Sequence, residues 1–191
     1  MPRILAIDSS LTGTGLTRID VSNHAVATDH GTIHHADIVT ATVRAPGPGK
    51  DKSKRAMIRR VNRLIEQIEP AFEGVDYVGM EALAYSAGNS SAWVLAYVWG
   101  RVIELCEKHD VPLTLVGTSQ VKKFALGKGS GPGTDKDHVL AAALKLFPTA
   151  DIDGNNEADA TVVGAVVCQQ LGLPILPVTQ YRTDVMAKLN D

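Results

Sequence analysis

Two periods of apolar spacing divide this chain. A short apolar run, Arg3–Ile7, ends in Asp8 and predicts a buried strand with a carboxylate at its end. Ser9–Gly15 carries Gly13 and Gly15 and reads as a turn. Leu16–Val21 then alternates as a second strand, and Ala25–His34 as a third, with Ser22-Asn23 as the turn between them. Lys54–Ile68 switches to helical spacing: Met57, Val61, Leu64, Ile65 and Ile68 share one face, and Pro70 follows its end. Tyr77–Met80 is a strand running into Glu81. Asn89–His109 predicts a long helix and Pro112–Val116 a strand. Thr118–Phe124 starts a helix at a Ser/Thr cap. The glycine-rich stretch Gly127–Gly133 precedes a helix from about Thr134 to Phe147, closed by Pro148. Asn156–Leu171 is the last long helix, and Pro174–Asp191 a terminal helix or frayed tail. Three strands followed by alternating helix and strand indicate an α/β sheet of mixed direction.

Composition narrows the class. With 191 residues, 45% hydrophobic and 21% charged, the chain suits one globular domain that needs no disulfide staples. No apolar run approaches the roughly 20 residues of a membrane span. The run Ile4–Ile7 stops at Asp8 and does not read as a signal peptide. Cys106 and Cys168 lie in apolar periodic stretches, as reduced core residues of a cytoplasmic protein. The segment "APGPGKDK", Ala45–Lys52, is a loop by composition.

The net charge of −2 excludes a polycation, but the charges are segregated. Lys50, Lys52, Lys54, Arg55, Arg59, Arg60 and Arg63 cluster against the single acid Asp51. Lys122, Lys123, Lys128 and Lys136 form a second basic stretch. Asp151, Asp153, Glu157 and Asp159 are concentrated elsewhere. Such segregation suits a polyanion on one surface and cations on another; for a single charge run, a merely solvated face is the favoured reading.

Asp8 and Glu81 each end a strand, and Asp159 sits at a helix start. Acids pointing inward without partners are costly. A hard divalent cation with oxygen ligands, such as Mg²⁺, offsets that cost. Each acid alone is as readily a turn former.

The order and surroundings of these acids resemble the RNase H-like superfamily, and within it the RuvC-type Holliday junction resolvases. "ILAIDSSLTGTGL" is similar to the family's opening strand, acid and turn. "YVGMEALAYSAGNSSAWVLAYVWGRV" is similar to the segment carrying the second acid, and "NNEADATVVGAV" to the closing helix. "SQVKKFALGKGSGPGTDKDHV" resembles the family's V-K…G-x-G…K-x-x-V stretch, with Lys122 and Lys136 in the basic positions. The likeness covers roughly residues 3–171. It implies an RNase H-like mixed sheet, the first three strands antiparallel and the later ones parallel, flanked by helices. The nuclease domain would span residues 1–173, with 174–191 as a C-terminal tail or short helix.

The resemblance further implies an endodeoxyribonuclease that cuts four-way junctions with two Mg²⁺ per active site, Mn²⁺ substituting. Asp8, Glu81 and Asp159 would hold the metals and Lys136 would neutralise charge at the phosphate. The family places a further ligand three residues before the last acid; here that position is Asn156, and Glu157 is the alternative ligand. Asn156 also makes a good helix cap. Lys52, Lys54, Arg55, Arg59, Lys122, Lys123 and Lys128 are the candidate DNA contacts, and Tyr85 would stack on a junction base. Trp93 and Tyr97 read as packing residues of the long helix, which in this family forms a homodimer interface. The histidines His34, His35 and His109 fit solvent or loop positions. The partner implied is branched DNA, with no membrane and no small-molecule cofactor. The divergence resembles phage-encoded members of the family.

Other readings start from the same residues. A flap, fork or single-strand nuclease would use identical metal chemistry. "DSSLTGTG" also suits the opening turn of actin-like ATPases, although that fold needs two such lobes. Asn156 is compatible with a junction-binding module that does not cut.

Overall fold

The computed structural model describes residues 1–83 and 92–189. Five strands, β1 (Arg3–Asp8), β2 (Thr14–Thr28), β3 (Gly31–Val43), β4 (Tyr77–Glu81) and β5 (Leu113–Val116), form one sheet in the order β3-β2-β1-β4-β5. β1 pairs antiparallel with β2, and β2 antiparallel with β3; β4 runs parallel to both β1 and β5. The mixed sheet inferred from element order is therefore the observed one. β1 reads as an unbroken apolar run because both its faces are covered. Leu5 and Ile7 enter one core with α1 (Lys54–Ile68) and α2 (Ala92–Lys108), while Ala6 enters a second. That second core includes residues of α3 (Thr118–Leu126), α4 (Lys136–Leu146) and α5 (Asn155–Gln170).

The first helix follows its sequence pattern closely. Ser53 caps it by accepting from the Ala56 amide, and Val61, Leu64, Ile65 and Ile68 are buried. Pro70 then sits in a single 3₁₀ turn, Glu69–Phe72. The residues Asn89–Ser91 expected to begin the long helix lie outside the described residues, as does Tyr85. Both cysteines are free and buried. Among the described residues no helix is long and apolar enough to cross a membrane.

The second hairpin differs from its expected course. Ser22-Asn23 does not reverse the chain; β2 runs on to Thr28, with a shift of register between Val21 and Ala25. The Ser22 hydroxyl accepts from the His24 amide there, so its turn chemistry serves a bulge. The reversal comes at Asp29-His30, where Gly31 supplies a φ of +94° and the Thr28 hydroxyl bridges the His30 amide and the Gly31 carbonyl. His34 and His35 consequently lie on β3 rather than in a loop. His35 stacks on His24, with ring centroids 4.5 Å apart.

The segment after residue 173 packs onto this hairpin and onto α3. The His34 amide donates to Pro174, and the Val178 amide to His30. A sixth helix, α6 (Gln180–Met186), carries the buried Arg182, whose guanidinium donates to the carbonyls of Phe124 and Pro177. Leu176 and Val185 complete the core around α5.

Helix α5 is buried along most of its length, from Glu157 to Cys168, so its sequence shows no single apolar stripe. Close approach requires small residues. A Cβ on Gly164 would lie 2.6 Å from Ile19 Cδ1 and 3.2 Å from Ala6 Cβ. A Cβ on Gly15 would lie 2.1 Å from the Asn156 carbonyl oxygen, which is backbone and cannot swing aside. Gly15→Ala is therefore expected to lower stability by about 2 kcal/mol or more, read as a fall in urea midpoint at unchanged slope.

Candidate active site

β1 and β4 are parallel neighbours, with Ile7 opposite Met80, so Asp8 and Glu81 emerge together at one edge of the sheet. Asp159 approaches from the first turns of α5. Each acid offers a carboxylate oxygen within 4.8 Å of the others. Asp159 is buried; Asp8 and Glu81 are half-buried. Asp8 and Glu81 open on a cleft of about 480 Å³ whose wall includes Ser10, Trp99, Thr118, Lys136 and Asn156. The turn after Asp8 is held by Thr14, whose hydroxyl donates to the Ser10 carbonyl at 2.6 Å.

Burial, then Glu81 and Asp159, push the Asp8 carboxyl up to about 7, against the opposing pull of Lys136. Burial and Glu81 push Asp159 up to about 6, opposed by Lys136 and Lys122. A cluster of oxygen donors that repel one another and have lost water fits a hard divalent cation in charge and in donor type. The cluster is the arrangement expected from the three acids. Lys136, the first residue of α4, lies in the same cleft.

The neighbouring candidates separate. Helix α5 begins at Asn155 with Gly154 as its cap, so Asn156 is not a cap. It lies in the cleft wall, with its amide nitrogen 2.8 Å from where a Gly13 Cβ would stand. Glu157 is not a member of the cluster. Its carboxylate accepts from the Thr42 hydroxyl at 2.8 Å and the Asp153 amide at 2.7 Å, and so faces β3 and the preceding loop.

The basic residues also divide. Lys52, Lys54 and Arg55 are exposed. Arg59 pairs with Asp51 at 2.9 Å, and Arg60 donates to the Pro46 carbonyl at 2.7 Å. The base of this loop is tied to the turn after Asp8, because the Ala45 amide donates to Leu11. Lys123 is engaged by Asp184 at 2.8 Å in the seam between α3 and α6, and Lys128 donates to the Pro132 carbonyl. Both therefore have local partners that the run of lysines did not suggest. His109 stacks on Phe72, away from the acids.

Sequence reasoning missed two residues. The Thr118 hydroxyl donates to Glu81 Oε1 at 2.5 Å, and Trp99 Nε1 donates to the Glu81 carbonyl at 3.2 Å. The helix start expected at Thr118 is found, but the Ser/Thr cap is not: Gly117 occupies the cap and Thr118 is the first helical residue.

A carboxyl whose folded-state pKa is raised destabilises the fold wherever it is ionised. For Asp8 and Asp159 that penalty grows from the ordinary carboxylate range, near pH 4, up to pH 6–7 and is full above it. Metal-free protein is expected to lose thermal stability over this window relative to Asp8→Asn, which at pH 8 should melt roughly 4 °C or more higher. Divalent metal should close that gap by stabilising the wild type. Melting curves in EDTA and in Mg²⁺ across pH 5–8 check both signs.

No family model matches the chain. It is 26% identical over 176 residues to the crossover junction endodeoxyribonuclease RuvC of Xanthomonas euvesicatoria pv. vesicatoria (strain 85-10), covering 91% of this chain and 94% of the relative. Its fold is similar to that of Thermus thermophilus RuvC, with a TM-score of 0.62 and 18% identity over 89% of this chain and 96% of the other. A structure of T. thermophilus RuvC in complex with Holliday junction substrate aligns with a TM-score of 0.61 and 17% identity over the same shares. The likeness in sequence spans nearly the whole of both chains. The chain is thus similar in sequence to RuvC-type resolvases over most of its length, and its fold is similar to that of T. thermophilus RuvC.

Proposed function

We propose that this protein is a structure-selective endonuclease that cleaves four-way DNA junctions by metal-assisted hydrolysis of a phosphodiester. The observation that carries the reading is the convergence of Asp8, Glu81 and Asp159 from three separate elements. The relatives' name and the junction-bound RuvC support the choice of substrate. Asp8, Glu81 and Asp159 would hold two Mg²⁺, for which Mn²⁺ would substitute, with the Asn156 amide oxygen as a weaker neutral donor. When bound, such a metal pair supplies an activated water and stabilises the leaving oxygen.

The chain's own groups do the remaining work. Lys136 brings an ammonium to the cleft in which the scissile phosphate would sit, where it offsets the charge that accumulates during displacement. Lys122 adds positive potential on the Asp159 side. Lys52, Lys54 and Arg55 extend from the loop and first turn that adjoin the turn after Asp8. They would grip the sugar-phosphate backbone beyond the cleft.

A homodimer suits this substrate, because a two-fold junction offers two equivalent strands to two equivalent sites. Helix α2 presents the exposed Trp93 and Leu95 for such an interface, while Val94, Val98 and Val102 are used in the protein's own core.

Cleavage of a labelled four-way junction in Mg²⁺, beside flap, fork and single-strand controls, tests the function. Asp8→Asn should abolish cutting while junction binding in EDTA persists. Cutting by Asp8→Asn at the wild-type rate would refute the assignment, and preference for flaps over junctions would move the protein to the other nuclease class. Neutralising Lys52, Lys54 and Arg55 together should flatten the log–log salt dependence of junction affinity by roughly 0.9 for each phosphate that is no longer neutralised. An unchanged slope would return these residues to a solvated face.

A further inference from the structure

We propose that Thr118 is a positioning residue for Glu81, holding its carboxylate in the metal-binding orientation; this rests on the metallonuclease reading above. The hydroxyl donates to Glu81 Oε1 at 2.5 Å, and among the described residues it makes the one side-chain hydrogen bond to that carboxylate. Its place is set by backbone. Glu81 lies opposite Val116 in the β4–β5 ladder, and the Ala82 amide donates to the Val116 carbonyl at 2.8 Å. Two residues beyond Val116 the chain turns at Gly117 and presents Thr118 as the first residue of α3.

That turn is itself braced. The Gln120 side-chain oxygen accepts from the Gly117 amide at 2.6 Å, and the Gln120 amide donates back to the Gly117 carbonyl at 2.8 Å. Because the Gly117 amide is satisfied in this way, the Thr118 hydroxyl is not needed for the helix end and is available to Glu81. From the opposite side, Trp99 of α2 fixes the main chain of the same residue through its carbonyl.

The need for such a clamp follows from the electrostatics. Glu81 has a longer and more mobile side chain than Asp8 or Asp159. Like charges within 4.8 Å favour its rotation out of the cluster and into water. A charge-assisted hydrogen bond opposes that escape and leaves the second carboxylate oxygen to ligate. Hydrogen-bond partners of metal ligands typically matter by 10–100-fold in affinity.

The test compares wild type, Thr118→Val and Thr118→Ser. Valine keeps the shape and removes the donor; serine keeps the donor. Calorimetric titration with Mn²⁺ alone should show Thr118→Val weakened by roughly 10-fold or more and Thr118→Ser within about twofold of wild type. Melting in EDTA reports whether each variant folds. Junction cleavage by Thr118→Val should fall at limiting Mn²⁺ and recover at saturating Mn²⁺, as expected for a defect in metal loading. A Thr118→Val titration that overlays wild type would overturn the role of Thr118 and leave the nuclease reading intact. An equal loss in Thr118→Ser would assign the effect to packing and overturn it as well. A wild type that takes up no Mn²⁺ would overturn both readings.

Discussion

The contact between the start of α5 and the bare backbone of β2 is the constraint on which the site depends. Asp159 belongs to a helix that must run across the sheet, yet its carboxylate has to meet one at the end of β1. That is achieved by letting the Asn156 backbone sit against Gly15, at a separation that no side chain would permit. Gly164, pressed against Ile19 and Ala6, continues the same close approach further along the helix. The second hydrogen-bonded layer follows from it: Thr17, buried in β2, shares a hydrogen bond with Thr161 of α5, and Thr161 returns its own to the Glu157 carbonyl. The buried hydroxyls of Thr17 and Thr161 are tolerable at this contact because each finds a partner.

Close packing on one side produces electrostatic cost on the other. The approach that brings Asp159 to Asp8 also strips water from both, and their carboxyls hold protons more tightly as a result. The surroundings offset only part of this. Lys136 and Lys122 bring positive charge to the acids, and the neighbouring acid Glu157 is turned aside to accept hydrogen bonds from the Thr42 hydroxyl and the Asp153 amide. The cluster is thus assembled in a destabilised condition that a divalent cation would relieve. Part of the binding energy of the ion would be spent on completing the fold at this edge.

The basic surface has a similar division of labour. In sequence, Lys123 and Lys128 belong to the same run as Lys122 and Lys136. In space, Lys123 anchors α6 through Asp184, and Lys128 closes its own glycine-rich loop. Arg59 and Arg60 brace the Ala45–Lys52 segment, while Lys52, Lys54 and Arg55 stand exposed beside it. Linear charge density overstates a binding surface because some of its charges hold up the structure that presents the others.

Much of this architecture was legible in the chain itself, for reasons of period and punctuation. Lys54–Ile68 has a cap, a clean apolar stripe and a following proline, and the helix keeps those bounds. Strand ends at Asp8 and Glu81 were marked by a charge after an apolar run, since a core strand cannot continue through an ionised group. The hairpin turn was not legible: Ser22-Asn23 and Asp29-His30 are both plausible reversals, and only pairing with β3 and the staple from Pro174 and Val178 selects the second. Tertiary structure alone decided that Glu157 faces away and that Thr118 serves a carboxylate on the neighbouring strand. Local sequence carries backbone preference and the sidedness of an element. The partner that a hydroxyl or a carboxylate meets depends on which element packs beside it, and residues 37 positions apart are brought together only by the folded sheet.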